Sequence, residues 1–416
     1  MSVTTQVRQG PGLAGWVATL RRSMQRPLTS YYLLLGASTM LLAIGLMMVL
    51  SASSVYSYEQ HHGSSYYIFF KQLTWVLIGL PSAYLASRMN RRVLRLLAWP
   101  AVLLAVVLLA LTQTGLGFAV NGNRNWLALG PLTVQPSEIA KLSLILWAAD
   151  VYAKKERLLA NPVHALLPVA PVMVLVSGMV VVQHDLGTAL VLFAILLGLL
   201  WVVGVPARLF GIAFSLVGVV AFYLAASNAE RRARLTSFID PFKDFQGAGW
   251  QAGHGLLGMA SGGILGKGLS ASQQKWGNLP EAHTDFIFAV LGEELGLVGT
   301  LLVLSLFGAI AFAAVRLAMT TADPFVRYVT AGVTIWLMAQ MIINIGMVLA
   351  LLPVIGIPLP LVSYGGSALV PSLVGLGLLV GFARAEPEAA AALRHRSGER
   401  RPVSARGRFP RRPRRG

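Results

Sequence analysis

Lys275-Trp-Gly-Asn-Leu-Pro-Glu-Ala-His-Thr-Asp-Phe-Ile-Phe-Ala-Val-Leu-Gly-Glu-Glu-Leu-Gly-Leu-Val-Gly299 joins a polar loop to a long apolar run. Lys275, Glu281, Asp285, Glu293 and Glu294 crowd here with His283, in a chain that is otherwise hydrophobic. Asp285 stands at the point where the apolar run begins with Phe286. A carboxylate there lies at a membrane–water boundary and near the positive end of a helix. Two readings fit the position: Thr284 or Asp285 caps the helix, or Asp285 does chemistry at the boundary. The rest of the chain bears on that choice.

The composition is that of an integral membrane protein: 56% hydrophobic, 12% charged, with a mean hydropathy of +0.67. Repeated apolar runs of about 20 residues are what a bilayer requires. With no cysteine, disulfide frameworks and cysteine metal sites are excluded. The net charge of +18 suggests nucleic acid until it is mapped. From Arg384 onward 11 Arg and 3 Glu contribute +8, and much of the remaining excess lies in short loops between apolar runs. That distribution orients a membrane protein, and no nucleic-acid partner is expected. The first apolar run, near Tyr31, has no convincing cleavage site of a signal peptide.

Apolar runs fall at about 31–52, 67–87, 93–113, 137–153, 163–182, 186–205, 207–227, 285–315, 326–350 and 367–384. The expected fold is therefore an all-α polytopic membrane protein with ten transmembrane helices. It has a large extracytoplasmic loop (228–284) between helices 7 and 8. Pro100, Pro168 and Pro171 lie inside runs, where membrane helices tolerate them as kinks. With a cytoplasmic N-terminus, the inner loops carry Arg88, Arg91, Arg92, Arg95, Lys154, Lys155, Arg157, Arg208, Arg316 and Arg327; the short outer ones carry Lys71 and Arg124. Both termini are then cytoplasmic, as the positive-inside rule wants. Residues 1–30 (Arg8, Arg21, Arg22, Arg26) form a basic tail, 31–384 the membrane domain, and 385–416 a basic tail disordered by composition. Anionic lipid is the default partner for that last stretch, a cytoplasmic division protein the alternative.

Three irregular segments face outside. The first, 114–136, ends in Gln135-Pro-Ser137-Glu138, with Lys141 one turn further on the same helix face. The second is the 228–284 loop, rich in glycine and too polar for lipid. The third, 351–367, is mostly apolar, yet Pro353, Pro358 and Pro360 forbid a regular helix. Such backbone survives near membrane depth only where protein or water covers it, so this reads as a re-entrant or cavity-lining Pro/Gly segment between helices 9 and 10. Ionisable residues in or beside spans are functional candidates by default. Asp150 beside Lys154 reads as an ion pair at a helix end. Glu138–Lys141, Asp185, Glu293 and Glu294 fit either structural pairing or capping, or a role in a site. Arg124, Glu138, Lys141, Asp185, Lys275, Glu281, Asp285 and the 351–367 segment all map to one side. They suit a substrate with anionic and hydroxyl groups. Ser-His-Asp, P-loop and dinucleotide patterns do not occur.

Asn344-Ile-Gly-Met-Val-Leu and Leu352-Pro-Val-Ile-Gly-Ile-Pro-Leu-Pro-Leu-Val-Ser363-Tyr364-Gly-Gly-Ser367 closely resemble the signature of the SEDS family (shape, elongation, division and sporulation). So do Leu279-Pro-Glu281-Ala-His283-Thr284-Asp285-Phe-Ile-Phe-Ala, Arg124-Asn-Trp, Gln135-Pro-Ser137-Glu138 with Lys141, and Asp185-Leu-Gly-Thr-Ala-Leu. The likeness covers about 31–384. Ser272-Gln-Gln-Lys275 is more like the FtsW branch than the RodA branch. Ala350 and Ile355 stand where Gly and Thr are usual, and His254-Gly255 replaces a usual Gln-Ser pair.

The resemblance implies a peptidoglycan glycosyltransferase that polymerises lipid II and releases undecaprenyl pyrophosphate, septal during cell division, in the bacterial cytoplasmic membrane. Asp285 corresponds to the family's essential Asp. The implied roles are Asp285 as catalytic base, with Arg124, Gln135, Ser137, Glu138, Lys141, Asp185, Lys275, Glu281, His283, Thr284, Ser363 and Tyr364 binding substrate. Diphosphate is already a good leaving group, so cations rather than an acid must assist it; Arg124, Lys141 and Lys275 are the candidates. A divalent cation (Mg or Mn) is a possible cofactor. Implied partners are a class B penicillin-binding protein, the division transpeptidase, and other divisome proteins. The alternatives are an elongation-specific polymerase, a lipid II transporter, which would space its charges through the bilayer, and a silent scaffold.

Overall fold

The structure is a computed structural model that describes residues 26–398 apart from 61, 62, 121, 131 and 228. Most of the expected N-terminal tail (Arg8, Arg21, Arg22) and the Arg-rich 399–416 lie outside the described residues. The long helices are α1 (Thr29–Gln60), α2 (Tyr67–Arg88), α3 (Arg91–Leu111) and α4 (Pro136–Lys154). A shorter pair, α5 (Pro162–Leu166) and α6 (Ala170–Val182), precedes α7 (Leu186–Val203) and α8 (Ala207–Ala226). The long segment after α8 carries α9 (Ala229–Ser237) and α10 (Trp250–Gly262), followed by α11 (Ile287–Thr320), α12 (Pro324–Val348), α13 (Gly366–Ala385) and α14 (Pro387–Gly398).

Among the described residues nine helices, α5 and α6 counted as one, are long and apolar enough to cross a membrane. The chain is a helical multi-pass membrane protein. Helices are what an apolar chain adopts in hydrocarbon, because each backbone N–H must find a carbonyl within its own segment. The fourth expected run does form a helix, α4, but it is not among the nine. It carries Glu138, Lys141, Asp150 and Lys154, and nearly all of it is buried in protein. The run expected at 163–182 breaks at 167–169, where Pro168 cannot donate to the helix ladder.

Salt bridges test the alternation of helix directions. Arg91 of α3 meets Asp323 before α12 at 2.8 Å, and Arg95 meets Asp150 at the end of α4 at 2.7 Å. Arg327 of α12 meets Glu156 just after α4 at 3.1 Å. Each contact joins helix ends expected on the cytoplasmic side. Asp150 pairs with Lys154 as well as Arg95, so its role as an ion pair at a helix end stands. Packing within the bundle relies on small residues, as it must where lipid removes any hydrophobic drive between helices. A Cβ at Gly377 of α13 would strike the Ala83 carbonyl of α2, and one at Gly381 the Ser87 carbonyl. By contrast no residue of α8 is buried, so that helix lies at the periphery.

The chain departs from expectation in three further places. Residues 117–134, expected to be irregular within an all-α fold, form an antiparallel sheet in the order β1 (Gly117–Val120), β2 (Asn123–Leu129) and β3 (Leu132–Val134). Phe118 faces Trp126, and Leu127 faces Val134. Pairing gives this short polar excursion the backbone partners that a loop would lack. The 385–416 stretch, expected disordered, opens as α14.

The third departure is the 228–284 loop, which does enter the bundle. Helix α11 breaks at Gly296 (φ 66°, ψ −162°), about 14 Å along its axis from Ile287. The carbonyls of Glu293 and Glu294 accept from Lys267 and Gly268 N–H, both at 3.0 Å. The N–H groups of Leu297 and Val298 donate to the Gly263 and Ile264 carbonyls. The loop thus supplies the partners that the break removes, and the exposed Ile264 and Leu265 at its tip suit lipid. Polar composition misjudged this segment because its N–H and C=O groups are consumed by a broken helix.

Gly296 must therefore stay glycine. Gly296→Ala is expected to cost at least about 1–3 kcal/mol from the backbone region alone, with a further clash against the Gly266 N and Ile264 carbonyl. Thermal unfolding in detergent reads this as a lowered midpoint. Gly308→Ala on the same helix, where a Cβ meets open space, leaves the midpoint unchanged.

Candidate active site

Neither Thr284 nor Asp285 caps α11. The cap position belongs to Phe286, which has no side-chain hydrogen bond to the helix. That removes the capping reading of Asp285 and leaves a buried carboxylate with 7% exposure. Its turn is tightened at Glu281, a non-glycine residue with φ 55°, whose carbonyl accepts from Thr284 and Phe286 N–H. The Thr284 hydroxyl lies 2.6 Å from Glu281 Oε2 and 3.3 Å from Asp285 Oδ1.

The Pro/Gly segment closes the site from the other side. Asn344 Nδ2 donates to both the Asp285 and Ile357 carbonyls, each at 2.7 Å. The Tyr364 N–H donates to the His283 carbonyl at 2.9 Å. Gly356 turns with φ 79°, and a Cβ there would sit 3.7 Å from Asp285 Oδ2. Gly187 of α7 packs against Ile355 and Ile357, so the same turn separates Asp285 from the start of α7. His283 makes tilted ring contacts with Tyr56 and Tyr364. Ser363 steadies the segment through a 2.8 Å bond accepted from the Leu359 N–H.

Burial pushes the Asp285 carboxyl up to about 7, and the Glu281 charge adds to the shift; the partial hydrogen bond from Thr284 and the more distant Arg234 oppose it. Burial likewise lowers His283, with Glu281 pulling the other way. A carboxyl titrating near neutrality is matched to taking a proton at physiological pH.

The remaining expected site residues separate into other clusters. Asp185 caps α7 through Thr188 N–H at 2.9 Å and also accepts from Thr188 Oγ1, Asn125 Nδ2 and Gln135 Nε2. It thus ties the outer sheet to the bundle. Glu138 and Lys141 form a buried 2.8 Å pair, with the ammonium over Trp336 at 5.3 Å. Ser137 beside them is fully buried, with no partner for its hydroxyl. Arg124 is exposed and donates to the Thr114 carbonyl at 2.7 Å.

Lys275 is engaged elsewhere than expected. It is buried and bonded to Glu294 Oε1 at 3.3 Å, the Ser270 carbonyl at 2.8 Å and Ser51 Oγ at 3.2 Å. Glu293 takes Lys267 at 2.8 Å and Ser272 Oγ at 2.6 Å. Both glutamates therefore fasten the inserted loop. Removing one partner of such a buried pair costs about 3–5 kcal/mol, because it strands the other charge. Among the described residues no group of three His, Asp or Glu could hold a metal.

Asn344, Asn125 and Ser272 entered the sequence reading only as letters of its motifs, with no role, and Ser51 and Lys267 not at all. A lone Asn inside the apolar run of α12 was the available signal for Asn344, since an amide there must find buried partners.

Residues 32–387 match the FtsW/RodA/SpoVE family of cell cycle proteins. The chain belongs to this family. A probable peptidoglycan glycosyltransferase FtsW of Mycobacterium tuberculosis is 43% identical over 370 residues, 89% of this chain and 70% of that protein. The FtsW of Legionella pneumophila, described in the same words, is 35% identical over 86% of this chain and 92% of its own. Among solved structures, the rod shape determining protein RodA of Thermus thermophilus superposes with a TM-score of 0.63 at 32% identity, over 85% of this chain and 96% of that one. A chain from a peptidoglycan synthase complex described as coordinating polymerization and crosslinking gives 0.67 at 28% identity, over 84% and 96%. In this FtsW/RodA/SpoVE member, Asp285 lies where the outer loop, α12 and the Pro/Gly segment meet.

The raised Asp285 carboxyl makes a stability prediction. Folding disfavours its ionised form, so its contribution is intact below the ordinary carboxylate range and is lost as pH rises through about 7. Asp285→Asn is expected to melt above wild type at pH 8, with the difference shrinking towards pH 4. Equal melting temperatures at pH 8 would show that the carboxyl is not desolvated.

Proposed function

We propose that this chain is a peptidoglycan glycosyltransferase that polymerises lipid II, with Asp285 as its base. The observation that carries the mechanism is a buried carboxylate at the outer rim of the bundle, not engaged in capping, with the Thr284 hydroxyl beside one oxygen and Gly356 beside the other. Asp285 takes the proton of an acceptor sugar hydroxyl as that oxygen attacks the anomeric carbon of the growing chain. The lipid diphosphate leaves with the bonding electrons. Because the leaving group is already weakly basic, one carboxylate suffices, unlike the pairs of glycoside hydrolysis. A single displacement of this kind inverts the anomeric centre.

Of the cations expected to meet the diphosphate, Arg124 is the exposed one and suits a ligand arriving from outside. Lys141 remains a candidate through its place beside Glu138. Lys275 fits a structural role better. His283, Tyr364 and the exposed Glu281 carboxylate line the approach to Asp285, where sugar hydroxyls find donors and acceptors. The exposed apolar flank of α8 offers the polyprenyl tail a hydrocarbon path.

The working domain is taken as 31–384 with ten membrane-crossing helices, counting the buried α4, and both termini cytoplasmic. The 351–365 segment is re-entrant. Resemblance to the FtsW branch favours action at the division septum beside a class B penicillin-binding protein and other divisome proteins, with the Arg-rich tail on anionic lipid.

The test is polymerisation of labelled lipid II by the full chain with its transpeptidase partner. Wild-type turnover should rise with pH through about 7 as Asp285 ionises. Asp285→Asn should lose at least about a hundredfold while still inserting and binding the partner. Undiminished glycan from the amide variant would overturn the assignment.

A further inference from the structure

A buried base that takes a proton at every turnover must also dispose of it. Asp285 is 7% exposed, while Glu281, one turn earlier, is exposed. The Thr284 hydroxyl bridges them, 2.6 Å from Glu281 Oε2 and 3.3 Å from Asp285 Oδ1. A hydroxyl has one proton and so donates to only one carboxylate at a time. With both carboxylates ionised, Glu281 Oε2 is the shortest contact open to that proton, ahead of the Glu281 carbonyl at 3.1 Å and Asp285 Oδ1 at 3.3 Å. Once Asp285 is protonated, its new O–H has an acceptor in Thr284, and all three groups are satisfied in one direction.

We propose that Thr284 and Glu281 form the exit path for the proton that Asp285 takes from the acceptor sugar. The proposal rests on Asp285 being the base. In the step, the Asp285 O–H proton passes to Thr284 Oγ1 as the Thr284 proton passes to Glu281 Oε2. Asp285 is left ionised and Glu281 neutral, and Glu281 then releases the proton to water. No electrons or further reactants are needed.

The surroundings favour this direction. Asn344 from α12 binds the Asp285 main-chain carbonyl and leaves the carboxylate to its own turn. Tyr364 from the Pro/Gly segment and Tyr56 from α1 pack on His283 rather than on Asp285. Arg234 of α9 favours the ionised form of Asp285, while desolvation and the Glu281 charge favour the protonated one. The left-handed backbone of Glu281 is a strained conformation for a non-glycine residue, kept at the turn that brings it beside Thr284. Thr284 and Glu281 act through Asp285, which makes them relay residues.

The test uses the full chain with its partner and labelled lipid II. Thr284→Val, which keeps the shape and removes the hydroxyl, should lower kcat about tenfold to a hundredfold and leave the KM for lipid II within about twofold. Added imidazole, a small diffusible base, should restore the rate in proportion to its concentration, and Thr284→Ser should restore most of it without imidazole. Glu281→Gln should show the same imidazole-dependent recovery, which covers the case in which the valine variant does not fold. Full activity of Thr284→Val overturns the relay, as does a loss that neither imidazole nor serine relieves. Asp285→Asn separates the two ideas: if it stays inactive with imidazole while Thr284→Val works normally, only the relay fails. If it is active, the base itself is misassigned.

Discussion

Backbone satisfaction in lipid is the constraint on which this structure depends. An N–H or C=O left without a partner in hydrocarbon costs several kcal/mol, yet two stretches near the outer side of the bundle are not helical. The break in α11 is repaired by the 263–268 segment, which donates to the Glu293 and Glu294 carbonyls and accepts from Leu297 and Val298. The Pro/Gly segment is held by Asn344, by its own turn at Ser363, and by the Tyr364 contact to His283. Gly45 of α1 lets the Leu361 carbonyl approach where any side chain would collide. The second of these repairs packs against the turn that carries Asp285, through Asn344 and the Tyr364–His283 bond. The carboxylate is buried where that segment closes over its turn, with Gly356 beside Asp285 Oδ2.

Charge placement follows from the same economy of polar groups. At the helix ends expected to be cytoplasmic, arginines meet carboxylates in half-exposed pairs that contribute little to stability individually but fix which helix ends are neighbours. Deeper in, Glu293 and Glu294 are each saturated by lysine, serine and main-chain donors, and Lys141 is neutralised by Glu138. Asp285 differs from all of these. Among the described residues no salt bridge joins it to lysine or arginine; a shared hydroxyl and a like charge one turn away are its neighbours, and so it holds a proton affinity suited to exchange rather than to anchoring.

Much of this was legible in the sequence. Run length and the distribution of arginines gave the helices and their alternation, because hydrocarbon thickness and leaflet charge act directly on composition. The prolines of 351–367 gave the irregular segment, and the isolated position of Asp285 at the head of an apolar run marked it out. Contacts between distant segments were not legible. Nothing local to Lys275 says that Glu294 and Ser51 wait for it, and nothing in the glycine-rich loop says that it repairs a helix break centred on Gly296. The sheet at 117–134 was missed because its strands are short and pair only locally. Likewise α4 looked like an ordinary span, whereas its charges are tolerable only because protein surrounds it on nearly every face.

The central claim is that Asp285 is a desolvated carboxyl whose proton affinity lies near neutrality. Infrared difference spectroscopy of the full chain in lipid, titrated across pH, observes the carbonyl band of a protonated carboxyl directly, and Asp285→Asn identifies which band belongs to it. The account requires a band that disappears with a midpoint near 7 and is absent from the asparagine variant. A band lost near pH 4, as for an ordinary solvated aspartate, would contradict it.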